Sequence, residues 1–161
     1  MTKNITVSAI FSVISVLLFS SQMFIPFLGM AFSFLAVIPL YFIFKMAGKR
    51  YFYMSIISTF VIILFLNDPF GWIFYGLILL PATVSVIEKR AIFQIICFSL
   101  IELGSLFLYK VFFVVDGRIY ELMANLWFLI GLTFYLILHF SYKRIFNFSY
   151  FLWKKNYDNN N

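Results

Sequence analysis

The chain has 161 residues, of which 64% are hydrophobic and 11% charged, with a mean hydropathy of +1.01. An ordinary soluble domain carries roughly 25% charged residues, so this chain lacks the polar surface to cover a water-soluble globule and is expected to sit in lipid. The net charge of +6 does not point to nucleic acid, because the basic residues lie at the ends of apolar runs with no basic helix or Gly-aromatic motif between them.

In chain order, apolar runs occupy about 5–22, 25–44, 51–67, 70–87, 91–115 and 122–141. Each approaches the length of about 20 residues that a helix needs to cross a hydrocarbon core of about 30 Å. Membrane β-strands alternate polar and apolar residues, whereas these runs are apolar on all sides, which excludes a barrel. The expected fold is therefore all-α and polytopic: six transmembrane helices over residues 1–141, followed by a basic, Asn-rich cytoplasmic tail over 142–161. The first run resembles a signal peptide in its short apolar stretch after Lys3. It continues into FIPFLG rather than a small-residue cleavage site, so a retained helix is expected.

Orientation follows from Lys and Arg. Lys3 precedes the first run, Lys45, Lys49 and Arg50 follow the second, Lys89 and Arg90 follow the fourth, and Lys143, Arg144, Lys154 and Lys155 follow the sixth. These ten of the twelve basic residues share one side of a six-helix path. By the positive-inside rule that side is the cytoplasm, with both termini there and the protein in the cell inner (cytoplasmic) membrane. Short connections make successive helices antiparallel neighbours. Pro39 and Pro81 fall inside runs, where each removes a backbone donor and is expected to bend its helix.

No catalytic motif is legible: there is no HExxH, GxSxG, P-loop or paired intramembrane acid. His139, the single histidine, is expected near the cytoplasmic end of the last helix facing headgroups. Cys97, the single cysteine, is expected to pack in an apolar run. No enzyme activity, cofactor or metal is therefore expected.

Glu102 is more informative. It lies twelve residues past Arg90, roughly 18 Å along a helix, close to mid-membrane. A carboxyl there is costly unless it faces protein or water. Lys110 follows about two turns later, broadly on the same side and nearer the outer surface. Trp72 and Tyr75, with Asn125 and Trp127, lie at the same outer level of neighbouring helices. Singly these aromatic groups fit an interfacial belt. Together with Glu102 and Lys110 they suggest an outward-facing pocket for a small solute between the last three helices. The competing reading makes Glu102 a packing group and lets Lys110 snorkel to the headgroups.

Small residues recur at helical spacing in the first run (Ser8, Ser12, Ser15) and in the second (Gly29, Ser33, Ala36). Such faces let helices approach closely, either within the protein or toward a partner.

The stretch from IPFLGMAFSFLAVIPLYFIFKMAGKR through LNDPFGWIFYGLILLPATVSVIEKR resembles the YybS-like family of multi-pass bacterial membrane proteins. The features shared are Pro26 and Gly29 in a turn, Pro39 and Leu40 in a helix, Lys49 and Arg50 after it, and Pro69 at the next outer turn. That family is in turn similar to the substrate-binding S components of energy-coupling-factor transporters. The resemblance implies six helices, capture of a micronutrient on the outer side, and docking of the first helix, here Ser8, Ala9, Ser12 and Ser15, to a transmembrane coupling protein served by ATPase subunits. The chain differs in carrying mostly serines where the coupling helix typically has alanines, and YMSIISTFVIILFL where many S components have a Gly-rich third helix. The expectation is thus a solute-binding membrane subunit in contact with lipids and those partners. The competing expectation is a non-transporting membrane scaffold or assembly protein.

Overall fold

The computed structural model describes the backbone of residues 2–112 and 118–159, and the side chains of 2–25, 27–108 and 126–155. Among these residues there is no strand. Six helical stretches are long and apolar enough to cross a membrane: Thr2–Met23, Phe27–Met46, Lys49–Leu66, Pro69–Ile87, Ala91–Leu108 and Leu126–Lys155. The protein is an all-α, multi-pass membrane protein. Its chain divides into two compact units, Met1–Asn67 with Lys143–Asn161, and Asp68–Tyr142.

The first unit is built on α1 (Thr2–Ser20), which packs against α2 (Pro26–Leu35), α3 (Val37–Met46) and α4 (Lys49–Leu66). Close approach is set by small residues. A Cβ on Gly29 would run into the backbone of Ser21 and Gln22, and Ser33 Oγ lies 3.2 Å from Phe19 O and 3.1 Å from Gln22 Oε1. The second span breaks between α2 and α3 at Ala36, where the amide bonds Ser33 O, three residues back. Pro39 supplies the cause: it has no N–H for Leu35 O, and its ring crowds that carbonyl. α3 ends in a turn in which Ala47 N and Gly48 N both donate to Ile43 O. Gly48 has φ 93°, a conformation that a side chain would strain.

The second unit begins with Asp68, whose carboxylate accepts from Gly71 N at 2.8 Å and caps α5 (Pro69–Ile73). A π-helical stretch, Phe74–Leu79, separates α5 from α6 (Leu80–Ile87), and Leu80 N donates to Tyr75 O, five residues back. Pro81 again explains the change of register, because its ring would clash with Leu77 O in a regular α-helix. Then come α7 (Ala91–Phe112) and α8 (Arg118–Asn159).

The helix does not stop at the boundary expected near 141. α8 continues to Asn159, and the basic stretch after Tyr142 folds with the first unit: Phe146 stacks on Tyr41 with ring centroids 4.4 Å apart, and Trp153 meets Phe42 edge-on at 6.4 Å. Phe146, Tyr150 and Trp153 lie on one helical face, which gives the stretch an aromatic side to bury.

Candidate functional site

The second unit holds the polar groups that reach between helices. Near the ends of α6 and α7 that carry Lys89 and Arg90, Gln94 on α7 donates from Nε2 to Ser85 O (2.5 Å) and Glu88 O (2.7 Å). Its Oε1 accepts the Tyr135 hydroxyl of α8 at 2.5 Å. The last carbonyls of a helix have no partner within it, so the Gln94 amide caps α6 while tying α8 to α7. His139 Nδ1 lies 2.9 Å from Ser85 Oγ, which itself donates to Ala82 O at 2.7 Å. With the hydroxyl hydrogen so placed, His139 donates through Nδ1. His139 is therefore half-buried in a network rather than simply facing headgroups. Sequence reasoning passed over this network; its one local signal was an amide, Gln94, inside an apolar run.

Toward mid-membrane the chemistry changes. Gly104 on α7 approaches Leu77 and Ile78 of the π-helical stretch, where a Cβ would sit 2.8 Å from Leu77 Cβ and 3.0 Å from Ile78 Cγ1. Two residues earlier, Glu102 is buried at 5% exposure and turned to α8. Its carboxyl group fills the space that a Cβ on Gly131 would occupy, with Oε1 only 2.8 Å from that position. Neither Glu102 oxygen has a hydrogen-bond partner among the described residues. Leaving a buried acceptor unpaired costs about 1–3 kcal/mol, more if it is charged. Glu102 thus faces protein, not lipid.

Of the other residues expected around a pocket, Tyr75 is fully buried on the π-helical stretch, Trp72 is half-buried on α5, and Trp127 lies on α8 one turn before Gly131 and is 37% exposed. The side chains of Lys110 and Asn125 lie outside the described residues. Tyr75 and Glu102 are enclosed by packed neighbours rather than by an open cavity. A cavity of about 290 Å³ does open along α8, lined by Leu126, Leu129, Ile130, Thr133, Phe134 and Ile137. It contains none of the expected ligand contacts, and its lining is that of a lipid-facing groove.

On α1, Ser8 and Ser15 are buried, Ser12 is half-buried and Ala9 is exposed. The serine stripe is turned largely into its own unit, leaving Ala9 and part of Ser12 on the outside. Cys97 is buried. Among the described residues no three of His, Cys, Asp and Glu gather as a metal site would require. Comparison with protein families, with characterised proteins and with solved structures gives no match.

Proposed function

We propose that the protein is a solute-binding membrane subunit, similar in kind to the S components of energy-coupling-factor transporters, with its solute held by the second unit and Glu102 as the principal polar contact. The observation that carries this reading is the Glu102 carboxyl group, buried and with neither oxygen paired among the described residues. An intramembrane ionisable group is expensive, and its usual justification is a ligand or a pathway. The packed arrangement around Tyr75 and Glu102 is then the empty state, and binding parts α8 from α7 where only Gly131 lies between them. Trp72 and Trp127 complete the contacts at the outer mouth, where the sequence also places Lys110 and Asn125, whose side chains lie outside the described residues. The basic residues orient the termini and the loops near 47 and 89 toward the cytoplasm of a cell inner membrane. Energy comes from a transmembrane coupling protein and its ATPase subunits, which meet α1 at Ala9 and Ser12.

The second reading, a non-transporting scaffold, is favoured by the close fit of Glu102 against Gly131, which would make the carboxyl group a register lock between α7 and α8. Glu102→Gln separates the two. Under the binding reading, a small molecule that co-purifies with the detergent-extracted protein and is visible by mass spectrometry is lost from the variant, while insertion and folding persist. Absence of any small molecule from the wild type, with a change in thermal stability alone in the variant, transfers support to the scaffold.

A further inference from the structure

The last part of α8 carries a surface that neither reading uses. The span Leu126–Lys155 has 30 residues, about 45 Å of helix, which exceeds a hydrocarbon core of about 30 Å by roughly ten residues. The end that leaves the core is the one bearing Lys143, Arg144, Lys154 and Lys155. Along it, the face of Phe146, Tyr150 and Trp153 is turned to the first unit, with the Lys45 ammonium 5.2 Å from the Tyr150 ring. Arg144, Phe148, Phe151 and Lys155 recur at spacings of four, three and four, which gathers them within about 60° on the opposite face. All four are exposed, Phe148 at 62% and Phe151 at 64%.

Two phenylalanines between two cations suit a lipid interface far better than water. Each ring gains roughly 1.5–3 kcal/mol from leaving water, while the cations stay at headgroup level. The first unit, residues 1–67 and 143–161, carries eight Lys and Arg against one Asp, Asp158, and no Glu. One carboxylate cannot balance eight cations, so the complementary anions come from outside. We propose that the face formed by Arg144, Phe148, Phe151 and Lys155 is a docking surface for the headgroups of anionic phospholipids, with the two rings seated at the acyl boundary and the two cations on phosphates.

The test uses the full chain in phosphatidylcholine vesicles doped with spin-labelled phosphatidylglycerol or spin-labelled phosphatidylcholine, reading the motionally restricted lipid fraction. The wild type is expected to favour phosphatidylglycerol by about fivefold at low salt, the effect of roughly one headgroup–cation attraction, and less at high salt. Arg144→Gln with Lys155→Gln should remove most of that preference. Lys89→Gln with Arg90→Gln, the same loss of charge elsewhere, should leave most of it. Equal association of the two lipids with the wild type, or a preference insensitive to salt, overturns the proposal without any variant having to fold. Equal loss in both double variants also overturns it, because the attraction would then be general charge rather than this face.

Discussion

The two units handle polar groups differently. In the first, hydroxyls mostly return to their own helix: Ser8 to Asn4 O, Ser58 to Met54 O, Thr59 to Ser55 O. Its helices meet through glycine and serine, as at Gly29 and Ser33, and its cation Lys45 rests on aromatic rings. The first unit also joins elements through Asn67 Nδ2 to Ser20 Oγ and Ser33 Oγ to Gln22 Oε1, whereas the second links three helices through Gln94 with Tyr135 and Ser85 with His139 and holds one carboxyl group that bonds to nothing described. The contrast separates two uses of polarity in lipid. A hydroxyl bonded within its helix costs little and adds little specificity, whereas an amide between helices fixes register. A carboxyl group without a partner among the described residues does neither, which sets Glu102 apart from the more numerous serines.

The sharpest way to break that contrast is at Gly131. A leucine there would displace the Glu102 carboxyl group, and Gly131→Leu is expected to lower the stability of the detergent-solubilised protein by about 1–3 kcal/mol, read as an earlier thermal transition. Gly131→Ala should be milder and should be largely relieved by adding Glu102→Ala. Additive losses in that pair would mean that the two side chains do not share the space. In the first unit, Ser15→Leu places bulk at a fully buried position and is expected to destabilise by a comparable 1–3 kcal/mol. Ser12→Leu, at a half-buried position, should cost less and, under the coupling reading, should release a partner from pull-downs while the protein still folds. If Ser12→Leu destabilises as much as Ser15→Leu, α1 has no docking face.

Gln94→Leu removes three hydrogen bonds. At roughly 0.6 kcal/mol for each such bond in a membrane protein, it should cost about 2 kcal/mol, and Tyr135→Phe only about a third of that. Thermal unfolding of both variants checks the ratio, and equal effects would show that Gln94 acts through packing. The smallest expected effect on stability belongs to the topology test. Ala47→Cys in a Cys97→Ser background should leave folding unchanged and stay unlabelled by an impermeant reagent applied to intact cells. Labelling from outside would reverse the orientation and turn the Lys110 end of α7 from the outer side to the cytoplasm.

Much of this architecture was legible before any coordinates. Six apolar runs and the grouping of Lys and Arg at their ends suffice for helix number, because a hydrocarbon core tolerates only segments that satisfy their own backbone bonds. The two interrupted spans were foreseeable at Pro39 and Pro81, since the loss of a backbone donor is a local event. That Glu102 would avoid lipid followed from the cost of burying its charge. Contacts between distant residues were decided only in the folded chain. No spacing rule brings Ser85 to His139 across 54 residues or Gln94 to Tyr135 across 41, because those pairings depend on how three helices rotate about their axes. Rotation also turned Ser8 and Ser15 inward and left Ser12, on the same stripe, only half-buried. How the basic, Asn-rich stretch after 141 packs was not legible for the same reason: its composition does not show that Phe146, Tyr150 and Trp153 share a face that finds α3. Composition and periodicity act along the chain, so the sequence determined the number of membrane-spanning helices and where two of them break. Which polar atoms meet depends on packing between helices, and only tertiary structure decided that.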